Sequence, residues 1–186
     1  MNQHVFLKQI QKRLAQTSIG ASALRNQGSA GLVKISRDYL EKINLDIFFQ
    51  TLKDETLYTK YLNRHTNQLL EKYPSKAKSW GAARKALNLF FREVVYNKFI
   101  ADYYKLPNNF KKFNVAVRSM ELPLDKFTGT AIHKYSNNTA PVWKSIKKLS
   151  LDDSNSYQLK ADVIANGIAK IHLDLAYWRV ALKKSK

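Results

Sequence analysis

Between Ala82 and Tyr104 the chain carries Ala86, Leu87, Phe90, Phe91, Val94, Val95 and Phe99, an apolar set too broad for the single stripe of a surface helix. A helix that is greasy on more than one side has to lie inside the molecule, with other helices around it. The segment therefore predicts an all-α fold built about one central helix. It also makes Arg84, Lys85, Arg92 and Lys98 conspicuous, because a cation on a buried helix needs a partner or a purpose.

The flanking sequence supplies the surrounding helices. Phe6, Leu7, Ile10 and Leu14 recur at helical spacing over 5–14, and a shorter helical pattern over 21–26 is followed by the turn Gly28-Ser29-Ala30-Gly31. From Leu32 the residues Ile35, Tyr39, Ile43 and Ile47 continue one stripe with a break expected near Asn44. Residues 54–72 begin with acids, end with bases and stop before Pro74, as a helix dipole favours. Leu106-Pro107-Asn108-Asn109 reads as a turn and Phe113 to Val117 alternates like a strand. Val115 to Leu122 reads as extended or short helical. A helix is expected after Asp125 to about Tyr135, then a polar loop at 136–139, then helices over about 154–166 and 174–183. The expectation is one multi-helix domain over 1–186, with two small lobes and a DNA-facing cleft between them as its finer form.

Composition narrows the partner. Lys and Arg number 32 against 14 Asp and Glu, a formal charge of +18 on 186 residues, and a field of that sign attracts polyanions. With 45% hydrophobic residues the chain builds a core, unlike a disordered basic tail. The absence of cysteine removes disulfide and thiolate chemistry, and His4, His65, His133 and His172 lack metal-ligand spacing. No phosphate-binding glycine loop is present, and no apolar run is long enough to cross a bilayer. A monomeric, cytoplasmic, nucleoid-associated protein without metal or cofactor is expected.

Four residues could carry chemistry, and each has two readings. Lys85 among Ala82, Ala83, Ala86, Leu87 and Phe90 is either a desolvated, nucleophilic amine or a phosphate-binding lysine on a basic helix. Asp125, after Pro123 and Leu124, is a helix N-cap, and a carboxylate so held is also rigid enough to handle protons or stabilise a sugar cation. Asp174 and Trp178, four apart, are either a cap and a core indole or an acceptor and a stacking surface for a purine. His172 reads as a satisfied polar core residue or a phosphate contact. Tyr58, Tyr61, Tyr96, Tyr103 and Tyr104 read as packing, with an exposed one available to wedge into a DNA stack.

Taken in order, Ala82-Ala83-Arg84-Lys85-Ala86-Leu87-Asn88-Leu89-Phe90, Glu121-Leu122-Pro123-Leu124-Asp125 and Ile171-His172-Leu173-Asp174 with Trp178 resemble the catalytic landmarks of helix-hairpin-helix DNA glycosylases. Within that superfamily the chain is most similar to the archaeal 8-oxoguanine glycosylase branch. The resemblance covers patches of residues 80–180. It implies Lys85 as the lyase nucleophile, Asp125 as the catalytic aspartate, Asp174 and Trp178 in the damaged-base pocket, and Arg92 as a second basic residue two turns beyond the nucleophile. Ala23-Leu24-Arg25-Asn26-Gln27-Gly28 resembles that branch's glutamine-bearing helix and implies Gln27 as a base-edge reader. Arg84, Lys98 and Lys126 are then expected on the DNA backbone. The chain departs from the family in lacking a Leu-Pro-Gly-x-Gly hairpin, for which Ser79-Trp80-Gly81 is a partial substitute.

The expected function is a glycosylase and abasic-site lyase that takes an oxidised or modified purine from double-stranded DNA. The alternative is a non-catalytic DNA- or RNA-binding module of genome maintenance or phage defence, whose cations only follow phosphate.

Overall fold

A computed structural model describes residues 2–20, 22–24 and 31–177, and among them the regular structure is entirely helical. Helix α1 spans Gln3–Ser18, α2 Leu32–Leu40, α3 Leu45–Thr51 and α4 Glu55–Lys72. The helix starts follow from local chemistry: the side chains of Asn2, Asn44 and Asp54 accept from Val5 N, Ile47 N and Leu57 N, satisfying backbone donors that a first turn leaves unpaired. Asn44 is thus the anticipated break between two helices. Gln11 of α1 donates its amide to the carbonyls of Leu40, Glu41 and Ile43, which closes the end of α2 against α1.

Helix α5, Trp80–Tyr96, has twelve of its 17 residues buried, which makes it the central element the sequence requires. Helices α1, α2 and α4 and the 3₁₀ turn Ile146–Lys148 pack on it. Phe91 stacks on Phe48 of α3 with ring centroids 4.3 Å apart. The helix does not run on to Tyr104. Asn97 ends it, and its side chain accepts from Ile100 N to start α6, Lys98–Tyr103. Beyond the bend the pattern changes side: Phe99, which the sequence groups with the central helix, is exposed, and Ile100 is the buried residue of α6.

Phe113 to Val117 is not a strand. Asn109 caps a helix, α7, over Phe110–Ala116, and of the alternating residues Phe113 and Val117, four apart, pack on the core while Val115 between them is exposed, as a helix and not a pleat requires. The chain has no regular structure over 120–124 before Asp125 opens α8, Lys126–Tyr135. Helix α9, Leu151–Ala165, starts three residues ahead of the expected Ser154 because Ser150 accepts from Asp153 N. Helix α10 is described over Leu173–Tyr177, after the 3₁₀ turn Lys170–His172. The turn expected at 28–31 and the helical pattern at 21–26 fall largely outside the described residues, as does the rest of the last helix.

Two apolar clusters result. One gathers α1 to α6 with Val117, Met120, Ala169 and Ile171. The other joins Leu122, Leu124, Ile132, Tyr157, Ala161 and Leu173, with Trp80 and Trp143 against it. No described helix is long and apolar enough to cross a membrane.

Gly81 sits where the first turn of α5 meets the 146–149 segment, and a Cβ there would strike the Ile146 carbonyl and the Leu149 side chain. Gly81→Ala is therefore expected to destabilise the protein by about 1–3 kcal/mol in urea unfolding, although alanine is the better helix former. A neutral or stabilised variant would contradict this close approach.

Candidate active site

Lys85, Leu89, Arg92 and Tyr96 recur on one stripe of α5, the side that three later segments cover. Asp125 is the N-cap of α8. Its Oδ1 accepts from Phe127 N at 2.8 Å and Thr128 N at 3.1 Å, while Thr128 Oγ1 accepts from Asp125 N at 2.8 Å. This reciprocal capping box fixes the carboxylate and leaves Oδ2 facing Lys85 Nζ, 3.4 Å away. Arg92 pairs with Asp174 of α10 and also donates to Glu93. Tyr96 Oη shares a hydrogen bond of 2.7 Å with His172 Nδ1, the two rings lying parallel at 5.8 Å.

Lys85 is 7% exposed. Burial pushes its pKa below the ordinary lysine value, the charge and hydrogen bond of Asp125 oppose that shift, and the neighbouring Arg92 guanidinium adds to it. A separation of 3.4 Å is longer than a tight ammonium–carboxylate contact. The amine is thus paired without being locked, and Asp125 Oδ2 lies where it can take its proton. This geometry can generate a neutral, nucleophilic amine beside a rigid anion. Burial likewise lowers the pKa of His172, which favours the neutral ring in the stack.

The segment bearing Asp125 is held from both apolar clusters. Arg84 forks onto Glu121, with Nε to Oε2 at 2.8 Å and Nη2 to Oε1 at 2.6 Å. Its Nη1 donates to Asn63 Oδ1 and Thr66 Oγ1 of α4, and Asn88 Nδ2 donates to Glu121 Oε2. One residue on, Gln158 of α9 receives Leu122 N and donates to Leu122 O, each at 2.9 Å. Thr128 Oγ1 donates to the Pro123 carbonyl. Between these anchors and the cap, little freedom remains in the chain leading to Asp125.

The expectation that Arg84 contacts a DNA backbone is corrected by this arrangement. At 2% exposure, with its guanidinium engaged by Glu121, Asn63 and Thr66, it has no surface to offer a phosphate. Lys98 and Lys126 are exposed, Lys126 directly after Asp125. Arg92 and Asp174, expected as separate base contacts, are brought together as partners of each other. Gln27 and Trp178 lie outside the described residues. The groove of about 570 Å³ lined by His4, Lys8, Lys12, Tyr103 and Tyr104 shares none of the side chains of this cluster.

Three contributors escaped the sequence reading: Glu121 as anchor, Gln158 as clamp, and Tyr96 as partner of His172. Only Glu121 left a signal, as a lone acid in the apolar run Met120-Glu121-Leu122-Pro123-Leu124. Comparison with known proteins found no matching family model, no matching curated protein and no matching solved structure.

Arg84→Met is expected to lose about 3–5 kcal/mol of unfolding free energy by leaving Glu121 buried and uncompensated, whereas the double variant with Glu121→Met is milder. Urea titration of the three proteins measures both, and a single variant as stable as wild type would overturn the role given to the pair. The lowered pKa of Lys85 has its own signature. The folded chain gives up this proton at lower pH than the unfolded chain, so its contribution to stability rises as pH climbs from the folded value toward 10.5. Over that interval wild type is expected to gain on Lys85→Met in unfolding free energy, and a constant difference would contradict the shift.

Proposed function

We propose that the chain is a DNA glycosylase with abasic-site lyase activity, acting on a modified purine turned out of the duplex. The observation that carries this reading is the buried Lys85 amine set 3.4 Å from a carboxylate whose other oxygen is fixed by the α8 backbone. Buried amines of lowered pKa beside a proton acceptor suit Schiff-base chemistry. The formal charge of +18 suits a phosphate-rich partner, and exposed Lys98 and Lys126 are available to its backbone.

In this reading Asp125 Oδ2 takes a proton from Lys85, and the freed amine lone pair attacks the sugar C1′. The N–C1′ bond forms as the bond from C1′ to the base breaks, and the electron pair leaves with the base, which is then protonated. The leaving base takes up the proton that Asp125 received, so the aspartate is again a carboxylate facing the positive charge that develops on the sugar. Opening of the C1′–O4′ bond gives a protonated Schiff base. Loss of a C2′ proton then expels the 3′ phosphate by β-elimination. No step calls for a metal or a nucleotide cofactor.

The resemblance of the sequence to the archaeal branch makes 8-oxoguanine the first substrate to test. Asp174 accepts from guanine-type N1–H and N2–H donors only in competition with Arg92, so base entry exchanges one partner of this carboxylate for another. Discrimination of the oxidised base rests on a group facing N7, where oxidation turns an acceptor into a donor, and Gln27 is the residue proposed for it. Trp178 is proposed as the stacking surface.

Borohydride reduction of the protein with an 8-oxoguanine duplex, and with a panel of other lesions, tests the reading. A covalent protein–DNA adduct is expected with wild type, and none with Lys85→Gln, which retains most DNA affinity because one charge in +18 is a small part of the footprint. Asp125→Asn keeps a capping oxygen but takes the counter-charge from the buried Lys85 amine, so a lower Tm is expected together with excision slowed by about 10²–10⁴-fold in the folded protein. Absence of any adduct across the panel would leave the alternative, a basic module that binds nucleic acid without altering it.

A further inference from the structure

The stripe on α5 does not end at Arg92. Beyond Tyr96 an aromatic series continues outward: His172 lies parallel to Tyr96, and Phe110 and Phe113 each stand 6.0 Å from the His172 ring. Phe113 is half-buried, but Phe110 is 61% exposed. This series leads from Tyr96, one turn beyond Arg92 on α5, to the surface, and its outermost ring is followed in the chain by exposed Lys111 and Lys112.

The helix that carries Phe110 is itself tied down. Asn114, one turn further along α7, donates to Gly167 O at 3.0 Å and accepts from Ala169 N, tying the helix to the turn that leads into His172. The inner edge of the phenyl ring meets His172. A large apolar ring at an exposed helix position contributes little to a core, and with two exposed lysines following it in the chain it offers what an unstacked nucleobase takes: a π face with phosphate-binding charge on the same helix.

We propose that Phe110 is a stacking ledge for an unpaired base of bound DNA, the base left without a partner when its opposite is removed or turned out. The proposal rests on the DNA-binding part of the function above and not on the lysine chemistry. Lys111 and Lys112 hold the backbone of the same strand, and the Phe110 ring takes the base face. Aromatic stacking accepts any base, so the ledge responds to an unpaired base without reading its identity.

The test uses the full chain and a duplex with 5-iodouracil opposite a tetrahydrofuran abasic analogue, which has no aldehyde for Schiff-base formation. Fluorescence anisotropy is expected to show Phe110→Ala binding this duplex roughly 5- to 100-fold more weakly than wild type, with a smaller loss on the fully paired duplex. Phe110→Tyr is expected to bind like wild type and Phe110→Leu like the alanine variant. Long-wavelength irradiation is expected to join the iodouracil to Phe110, located by peptide mass spectrometry. Leucine restoring full affinity would mean a plain apolar contact and overturn the ledge, as would an alanine variant equal to wild type or a crosslink mapping elsewhere. Borohydride trapping by wild type together with an inert Phe110→Ala removes the ledge alone. Loss of binding in Phe110→Ala without any trapping removes only the lysine chemistry, and a wild-type chain that binds no duplex removes both.

Discussion

The fork of Arg84 on Glu121 is the contact on which the arrangement around α5 depends. Buried ion pairs rarely outdo well-packed apolar residues as sources of stability, so the value of this one lies in direction. It ties the second turn of the central helix to a stretch, 120–124, that has no helix and no neighbouring strand to satisfy its backbone. Gln158 completes the task by taking both the N–H and the carbonyl of Leu122, so that one side-chain amide acts as a single rung of a β-ladder. An extended segment is thereby kept in place in an otherwise helical protein.

Charge is distributed in two different ways on the same molecule. The surface carries most of a +18 excess, whereas the stripe on α5 is balanced, Lys85 against Asp125 and Arg92 against Asp174. A polyanion is drawn to the outside by long-range attraction, but phosphate entering the stripe would have to displace a carboxylate from each cation. The interior cations therefore remain available for an exchange of partners at short range.

Much of this was legible from residue patterns. The breadth of the apolar set at 86–99 required a buried helix, and Asn44, Asp54 and Asp125 marked helix starts because their side chains have a defined local use. The juxtaposition of Lys85 with Asp125 was implied by resemblance and is realised at hydrogen-bonding range. What could not be read were pairings between distant positions: nothing in Arg84 names Glu121, and nothing in Arg92 names Asp174, since a salt bridge leaves no periodicity behind. The break at Asn97 was hidden because apolar residues stand on both sides of it, and nothing in the sequence tells that Phe99 is exposed and Ile100 is the residue that enters the core. The helix at Phe110–Ala116 was misread as a strand because in seven residues a period of two and a period of 3.6 can select the same side chains.

Asp125 divides its carboxylate between two employments, one oxygen for the α8 backbone and one for the Lys85 amine. The consequence is a restriction on how the position can drift in sequence. Glutamate keeps the charge but adds a methylene, and a longer arm cannot close back on its own first turn while also meeting the amine. Serine and threonine close the turn and bring no charge. The usual exchange of one acidic residue for the other, tolerated at most surface sites, is therefore denied here, and any descendant of this chain that retains both the helix start and the paired amine retains aspartate.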